Sequence, residues 1–156
     1  MAVAYTRYAG GIHRTLTGFL GDRVEAEDVL HDLFVGLPDA LRRYEERGVF
    51  GAWLRRVALR LALQRRRKQG RRREVSDEAL APRGERAAAD GLADRLAVEG
   101  ALAALPEGQR TVVVLRELEG WSHRDIAAFL DLRVGAVMTR HCRGMQRLRT
   151  LLEEDR

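Results

Sequence analysis

Apolar residues recur along most of this chain at intervals of three and four, the spacing of a helix face rather than the alternation of a strand. Tyr5, Tyr8, Ala9, Ile12, Leu16, Phe19 and Leu20 mark a first helix over residues 3–20, closed by Gly21 and Asp22. Ala26, Val29, Leu30, Leu33, Phe34 and Leu37 mark a second helix from Val24 to about Leu37, where Pro38 predicts a kink or a break. The other face of that helix carries Asp28, His31, Asp32 and Val35. A polar loop between aromatics, Tyr44–Phe50, leads into a third helix from Gly51 to about Lys68. Its inward positions are Trp53, Leu54, Val57, Ala58 and Leu61, with Arg56, Arg60 and Arg67 outward along one side.

Periodicity is lost over residues 70–91, which gain Gly, Pro and mixed charge; this stretch is expected to be a flexible linker. Beyond it the pattern returns as four helices. Leu92, Leu96, Leu102 and Leu105 mark one over Leu92–Ala104. Pro106 and Glu107 open a second, Gln109–Leu118, which Gly120 closes. Ser122 with Asp125 forms a capping box for a short helix ending at Leu130, and Val134 to about Glu153 forms the last. The expected fold is all-α: two small helical domains, residues 1–69 and 92–156, joined by a linker at 70–91.

No run of about 18 apolar residues is present, so no membrane insertion is expected. The first residues lack the charged-then-apolar pattern of a secretion signal. The lone Cys142 excludes an internal disulfide and fits a reducing, cytoplasmic setting. Charge sharpens the division into modules. Residues 1–73 hold 16 Arg/Lys and 8 Asp/Glu, residues 74–91 hold 2 and 5, and residues 92–156 hold 10 and 10. Within the first module, Arg55–Arg73 packs ten basic residues into nineteen positions with no acid. A single Lys against 27 Arg reflects a compositional bias, but bias does not explain that clustering. A polyanionic partner does.

The last two helices have the outline of a DNA-reading helix-turn-helix, in which the second helix enters the major groove. Ala127 supplies the small residue needed where the helices cross. Ile126 and Leu130 supply the core face of the first helix, Val134 and Val137 that of the second. The turn Asp131-Leu132-Arg133 is the weak point, because a left-handed residue is wanted there and Gly or Asn fits better than Asp. The exposed face of the reading helix offers Met138, Thr139, Cys142 and Arg143, flanked by Arg140, Arg147 and Arg149. Arginine can pair bidentately with guanine. Ser122, Arg124 and the amides at the helix start suit phosphate. The competing reading is an ordinary helical hairpin with a solvated arginine face.

The spacing of His123, His141 and Cys142 matches no zinc pattern, so no metal is expected. No cofactor is implied. No nucleophile–base pair, glycine-rich phosphate loop or pair of acids in a cleft is evident, so the chain is not expected to be an enzyme.

Taken in order, EAEDVLHDLFVGL, FGAWLRRVALRLALQRRR and LAALPEGQRTVVVLRELEGWSHRDIAAFLDLRVGAVMTR resemble a bacterial RNA polymerase sigma factor of the compact extracytoplasmic-function type, with regions 2 and 4 alone. The resemblance covers about residues 3–70 and 92–152. It implies region 2 at 1–69 and region 4 at 92–156. It implies that Asp28, His31 and Asp32 dock on the clamp helices of core RNA polymerase. Arg55, Arg56, Arg60 and Gln64 would contact the −10 element, with Tyr44–Phe50 as the loop that captures a flipped base. Ser122, Arg124, Met138, Thr139, Arg140, Cys142 and Arg143 would read the −35 element of promoter DNA. An anti-sigma factor is the implied regulator.

The chain departs from the family pattern at several positions. Arg60 stands where Asn is usual and Gln64 where Asp is frequent. Val134-Gly-Ala-Val137 replaces Val-Gly-Thr-Val, and Asp131 replaces the turn Gly. His141 fills an apolar position, Cys142 a frequently larger one, and His31-Asp32 the usual Gln-Glu pair. Two alternatives accompany the main reading: a degenerate sigma-like protein that binds polymerase but opens promoters poorly, and a stand-alone helix-turn-helix regulator. Without the resemblance, Asp28, His31 and Asp32 read as a solvated helix face, and Arg65–Arg73 would also suit an RNA-binding protein.

Overall fold

The computed structural model describes residues 1–73 and 91–154, with the side chains of residues 71–73 left aside. Among the described residues there is no strand. The chain divides into two compact units, Met1–Thr17 with Arg23–Leu80 and Gly18–Asp22 with Ala81–Arg156. The helices are α1 (Ala2–Leu20), α2 (Arg23–Leu41), α3 (Phe50–Arg73), α4 (Leu92–Ala104), α5 (Glu107–Val113), α6 (His123–Leu130) and α7 (Val134–Glu154). The linker expected at 70–91 falls mostly outside the described residues. Its first positions, up to Arg73, continue α3.

In the first unit α2 packs against α3, with Ala26, Val29, Leu33 and Leu37 of α2 and Leu54, Ala58, Leu59 and Ala62 of α3 buried. Ile12 and Leu16 of α1 are buried too, and α1 meets its neighbours through Tyr5 against Phe34 and Tyr8 against Phe50. Such apolar stripes carry helices that propensity alone would not hold.

Two expectations for this unit are corrected. Pro38 does not end α2; the helix runs on to Leu41. Pro38 sits exposed in the last turn, so a single bond to the Phe34 carbonyl is forgone, and Leu37 beside it is buried. The inward face of α3 is also rotated from the expected one. Leu59 and Ala62 are fully buried, whereas Trp53, Val57 and Leu61 are half-buried on its flank. An apolar run from Val57 to Leu63, interrupted by Arg60 alone, leaves the phase of the buried stripe ambiguous in sequence.

In the second unit α5 is central and packs on α7, which also meets α4 and α6. The expected helix Gln109–Leu118 is not one α-helix. After Val113 the chain widens into a π-helical segment, Val114–Leu118, where Glu119 N donates to Val114 O at 3.2 Å and Trp121 N to Leu115 O at 3.0 Å. Thr111 through Leu115 are five consecutive buried residues, more than one stripe of a regular helix presents. Arg110 Nη1 donates to the Ala103 and Leu105 carbonyls, 3.4 Å each, at the C-terminal end of α4. Of the apolar positions expected to face the core, Leu92 is exposed at the start of α4. Val134, the first residue of α7, is 38% exposed, and burial on that face begins one turn later, at Val137.

Candidate nucleic-acid interface and docking face

The acidic side of α2 faces Arg65 of α3. Arg65 of α3 places Nη2 3.2 Å from Asp28 Oδ2, Nη1 3.8 Å from Asp32 Oδ2 and Nε 3.7 Å from Glu25 Oε1. Glu25, Asp28 and Asp32 are spaced i, i+3 and i+7, which puts the three carboxylates on one stripe. Asp28 and Asp32 keep more than half of their side-chain surface in water, and His31 is exposed beside them. Neither Arg65 nor Glu25 was among the expected docking residues. The helical spacing of the three acids was a readable signal that a counter-charge would be wanted.

The exposed side of α3 divides. Arg56, Arg60 and Gln64 are spaced i, i+4 and i+8, share one face and are exposed, with Arg67 continuing the row. Arg55 is exposed on another side, where its Nη2 would lie 3.4 Å from a Cβ built on Gly11 of α1. Trp53 flanks the Arg56 row and completes an aromatic corner. Its ring centroid lies 4.6 Å from that of Tyr44 and 5.6 Å from that of Phe50; Tyr44 and Phe50 are 5.4 Å apart, and Phe50 is 5.5 Å from Tyr8. Offset and edge contacts at these spacings are the favourable arrangements for aromatic rings.

The loop that carries Tyr44 is tied by Glu46. Its Oε1 accepts from Tyr44 Oη at 3.2 Å and from the Gly48 amide at 2.7 Å, with Gly48 at φ 72°. Burial among the rings raises the Tyr44 phenol above its ordinary pKa, and the Glu46 carboxylate adds to the rise. The corner is a cluster of half-buried ring faces next to a row of guanidinium groups.

The helix-turn-helix is formed by α6 and α7. Ser122 Oγ accepts from the Asp125 amide at 3.1 Å and caps α6, whose Ile126 and Ala127 are buried. Asp131 takes the left-handed conformation that the turn requires, at φ 55° and ψ 51°, and the following Leu132 amide donates to Ala127 O at 2.9 Å. The turn therefore closes with an aspartate in the position where a glycine is cheaper. Trp121 and Phe129 meet edge to face at 5.0 Å and brace the outer side of α6.

On α7, Met138, Thr139, Cys142 and Arg143 are exposed on one side, and Arg147 and Arg149 lie exposed further along. Ser122 and Arg124 are exposed at the start of α6. Arg140 is placed differently: it is half-buried, and its Nη1 would lie 3.1 Å from a Cβ on Gly108 of α5. His141 points inward as well. Its Nε2 lies 2.7 Å from Glu117 Oε1 of the π segment, and its ring stacks 5.4 Å from His123. No spacing in the sequence announced that tie, because residues 117 and 141 meet only through the tertiary fold. Gly144 was equally silent. A Cβ there would lie 2.7 Å from Val113 Cγ2, so the missing side chain is what lets α7 close on α5. Among the described residues no three His, Cys, Asp or Glu side chains are grouped to hold a metal ion, and no helix is long and apolar enough to cross a membrane.

Comparison with known proteins places relatives on both units. Residues 4–72 match the family Sigma-70 region 2, and residues 95–148 match Sigma-70, region 4. The chain is 32% identical to the ECF RNA polymerase sigma factor SigE of Mycolicibacterium smegmatis over 94% of its own length, and spans 59% of that relative. It is 31% identical to the RNA polymerase sigma-H factor of Pseudomonas aeruginosa, covering 94% of this chain and 83% of that one. Among solved structures, the sigma factor RpoE from Bartonella quintana, in complex with the anti-sigma factor NepR, superposes with a TM-score of 0.74 at 24% identity. It covers 99% of this chain and 98% of its own. CnrH, in complex with the cytosolic domain of CnrY, superposes with a TM-score of 0.61 at 27% identity, over 99% of this chain and 88% of its own.

Proposed function

This chain belongs to the sigma-70 family, in its extracytoplasmic-function branch, and on that footing we propose that it directs core RNA polymerase to promoters and starts transcription there. Residues 1–69 act as region 2, residues 70–91 as the tether and residues 92–156 as region 4. Asp28, His31 and Asp32 dock on core polymerase. Arg56, Arg60 and Gln64, with Arg55 beside them, engage the −10 element, and the Tyr44–Phe50 loop with Trp53 offers the aromatic surface on which an unstacked base can rest. Extruding a base costs a few kcal/mol, so a shaped aromatic pocket beside cations meets a physical need. Met138, Thr139, Cys142 and Arg143 read the −35 duplex, while Ser122 and Arg124 hold phosphate and Arg140 supports the reading helix from its flank.

The observation that carries this reading is the order of the two family matches on two helical units, the second of which presents an exposed polar face on its reading helix. Tethering two weak DNA contacts on one polymerase raises their joint occupancy through effective concentration. The protein does no chemistry of its own; polymerase supplies it. Its workplace is the cytoplasm, where polymerase and DNA are. An anti-sigma factor that covers the DNA faces is the fitting regulator, as the two structural likenesses are each drawn from a complex with such a partner or a cytosolic domain.

Run-off transcription with core polymerase on genomic fragments tests the reading. Defined start sites are expected with the intact chain, and none with Asp28→Arg/Asp32→Arg. Intact polymerase binding without any start site would overturn the initiator reading in favour of a degenerate sigma-like protein.

A further inference from the structure

We propose that Arg65 is an internal counter-ion that core polymerase must displace from Asp28 and Asp32, so that docking on α2 and release of a cation on α3 are one event. The inference rests on the docking role given above to the α2 face. Arg65 belongs by sequence to the basic run of α3, yet its guanidinium is turned to the acids of α2 at 3.2–3.8 Å instead of joining the exposed row of Arg56, Arg60 and Gln64. Glu25, Asp28, Asp32 and Arg65 together carry a formal charge of −2, so the stripe still attracts a basic partner surface. Asp28 and Asp32 are more than half exposed, and their oxygens are reachable from outside, whereas the Glu25 side chain is only 21% exposed. An incoming cation therefore competes for Asp28 and Asp32 first and leaves Arg65 to Glu25 or to a phosphate. Exposed pairs of this kind are individually weak, so the exchange is easy.

The test is a titration of the full chain, labelled at its N-terminus, with core RNA polymerase by fluorescence anisotropy at two salt concentrations. Arg65→Gln removes the internal competitor and takes the stripe from −2 to −3. Core binding is expected to tighten about three- to tenfold at low salt, with a steeper loss on adding salt. Arg65→Lys restores a single charge and is expected to return affinity to near the unmodified level. Glu25→Gln leaves the guanidinium to Asp28 and Asp32 alone and is expected to weaken core binding. Arg65→Gln that folds, by its helical signal and melting temperature, yet binds core no tighter overturns the proposal. If Arg65→Gln does not fold, Glu25→Gln decides, and unchanged or tighter binding overturns it. Asp28→Asn and Asp32→Asn in the same titration separate the two ideas. Should they leave core affinity unchanged, the docking reading falls and this inference with it. Should they weaken it while Arg65→Gln fails to strengthen it, the counter-ion alone falls.

Discussion

Gly144 of α7 lies so close to Val113 of α5 that a Cβ on it would sit 2.7 Å from Val113 Cγ2 and 3.4 Å from both Gln109 Cβ and Gln109 O. The first atom belongs to a β-branched side chain that is 2% exposed and has no room to turn; the last belongs to backbone. The contact is the seam between the central helix of the second unit and the reading helix. Gly144→Ala is expected to lower stability by about 1–3 kcal/mol, the usual cost of overpacking, although alanine is the better helix former. Melting followed by circular dichroism checks this; a variant as stable as the parent would show that the seam can open without cost.

Asp131 holds a left-handed conformation at φ 55°, where an L residue pays roughly 1 kcal/mol that glycine does not. Asp131→Gly is expected to keep or slightly raise the melting temperature, and Asp131→Val to lower it and to weaken duplex binding, since the angle between α6 and α7 depends on this residue. Thermal melts and binding to −35 duplex DNA measured on the same samples would show whether the two effects move together.

Arg143 and Arg147 are both exposed on α7 but sit one turn apart. Arg143 shares the exposed face of Met138, Thr139 and Cys142 that is proposed to read base edges; Arg147 lies one turn further along α7. Arg143→Ala is expected to cost about 1–3 kcal/mol and to relax preference at one base pair. Arg147→Ala is expected to weaken all duplexes alike and to flatten the salt slope by about one. Affinities over a set of singly substituted −35 duplexes at two salt concentrations distinguish the two patterns.

The Tyr44 phenol, held above its ordinary pKa by burial among the rings, stays protonated in the folded chain at a pH where the unfolded chain has begun to lose that proton. Its contribution is thus fully present below the ordinary phenol value of about 10 and fades as pH climbs through the folded value. Ultraviolet titration of Tyr44→Phe against the parent should remove a phenol that ionises above the ordinary value of about 10. Removal of one that ionises below that value would contradict the packing of the corner.

Much of this architecture is legible in the residues because periodicity reports burial. The bounds of α4 agree at both ends, α6 ends at Leu130 as its spacing implied, and Ser122 caps it. The misses share a cause: each depends on what lies across the fold. Trp53 reads as core because it is large and apolar, but only the placement of Tyr44 and Phe50 turns it into a corner. Pro38 reads as a break because the rule is local, while buried Leu37 and the nearness of the helix end decide the outcome. Arg65 reads as one more cation in a basic run until Glu25, Asp28 and Asp32 are set opposite it. The site residues on α7 follow from helical geometry once its start is known, and Arg140 stands apart because Gly108 leaves space for it.

The π segment at Val114–Leu118 has a consequence for the length of the chain. A widened turn holds one residue more than an α-helix needs to cover the same rise, and here it closes the helix begun by α5, just before Gly120. The second unit therefore carries a spare residue at a known address. Removing Leu118, which is 55% exposed at the end of the segment, is expected to let the ladder return to ordinary spacing with α6 and α7 kept in place. The same deletion in the first turn of α7 would rotate the residues after it by about 100° relative to those before it. A scan of single-residue deletions across residues 107–150 would find one tolerant island, a place where a lineage can shorten or lengthen this protein without re-aiming it.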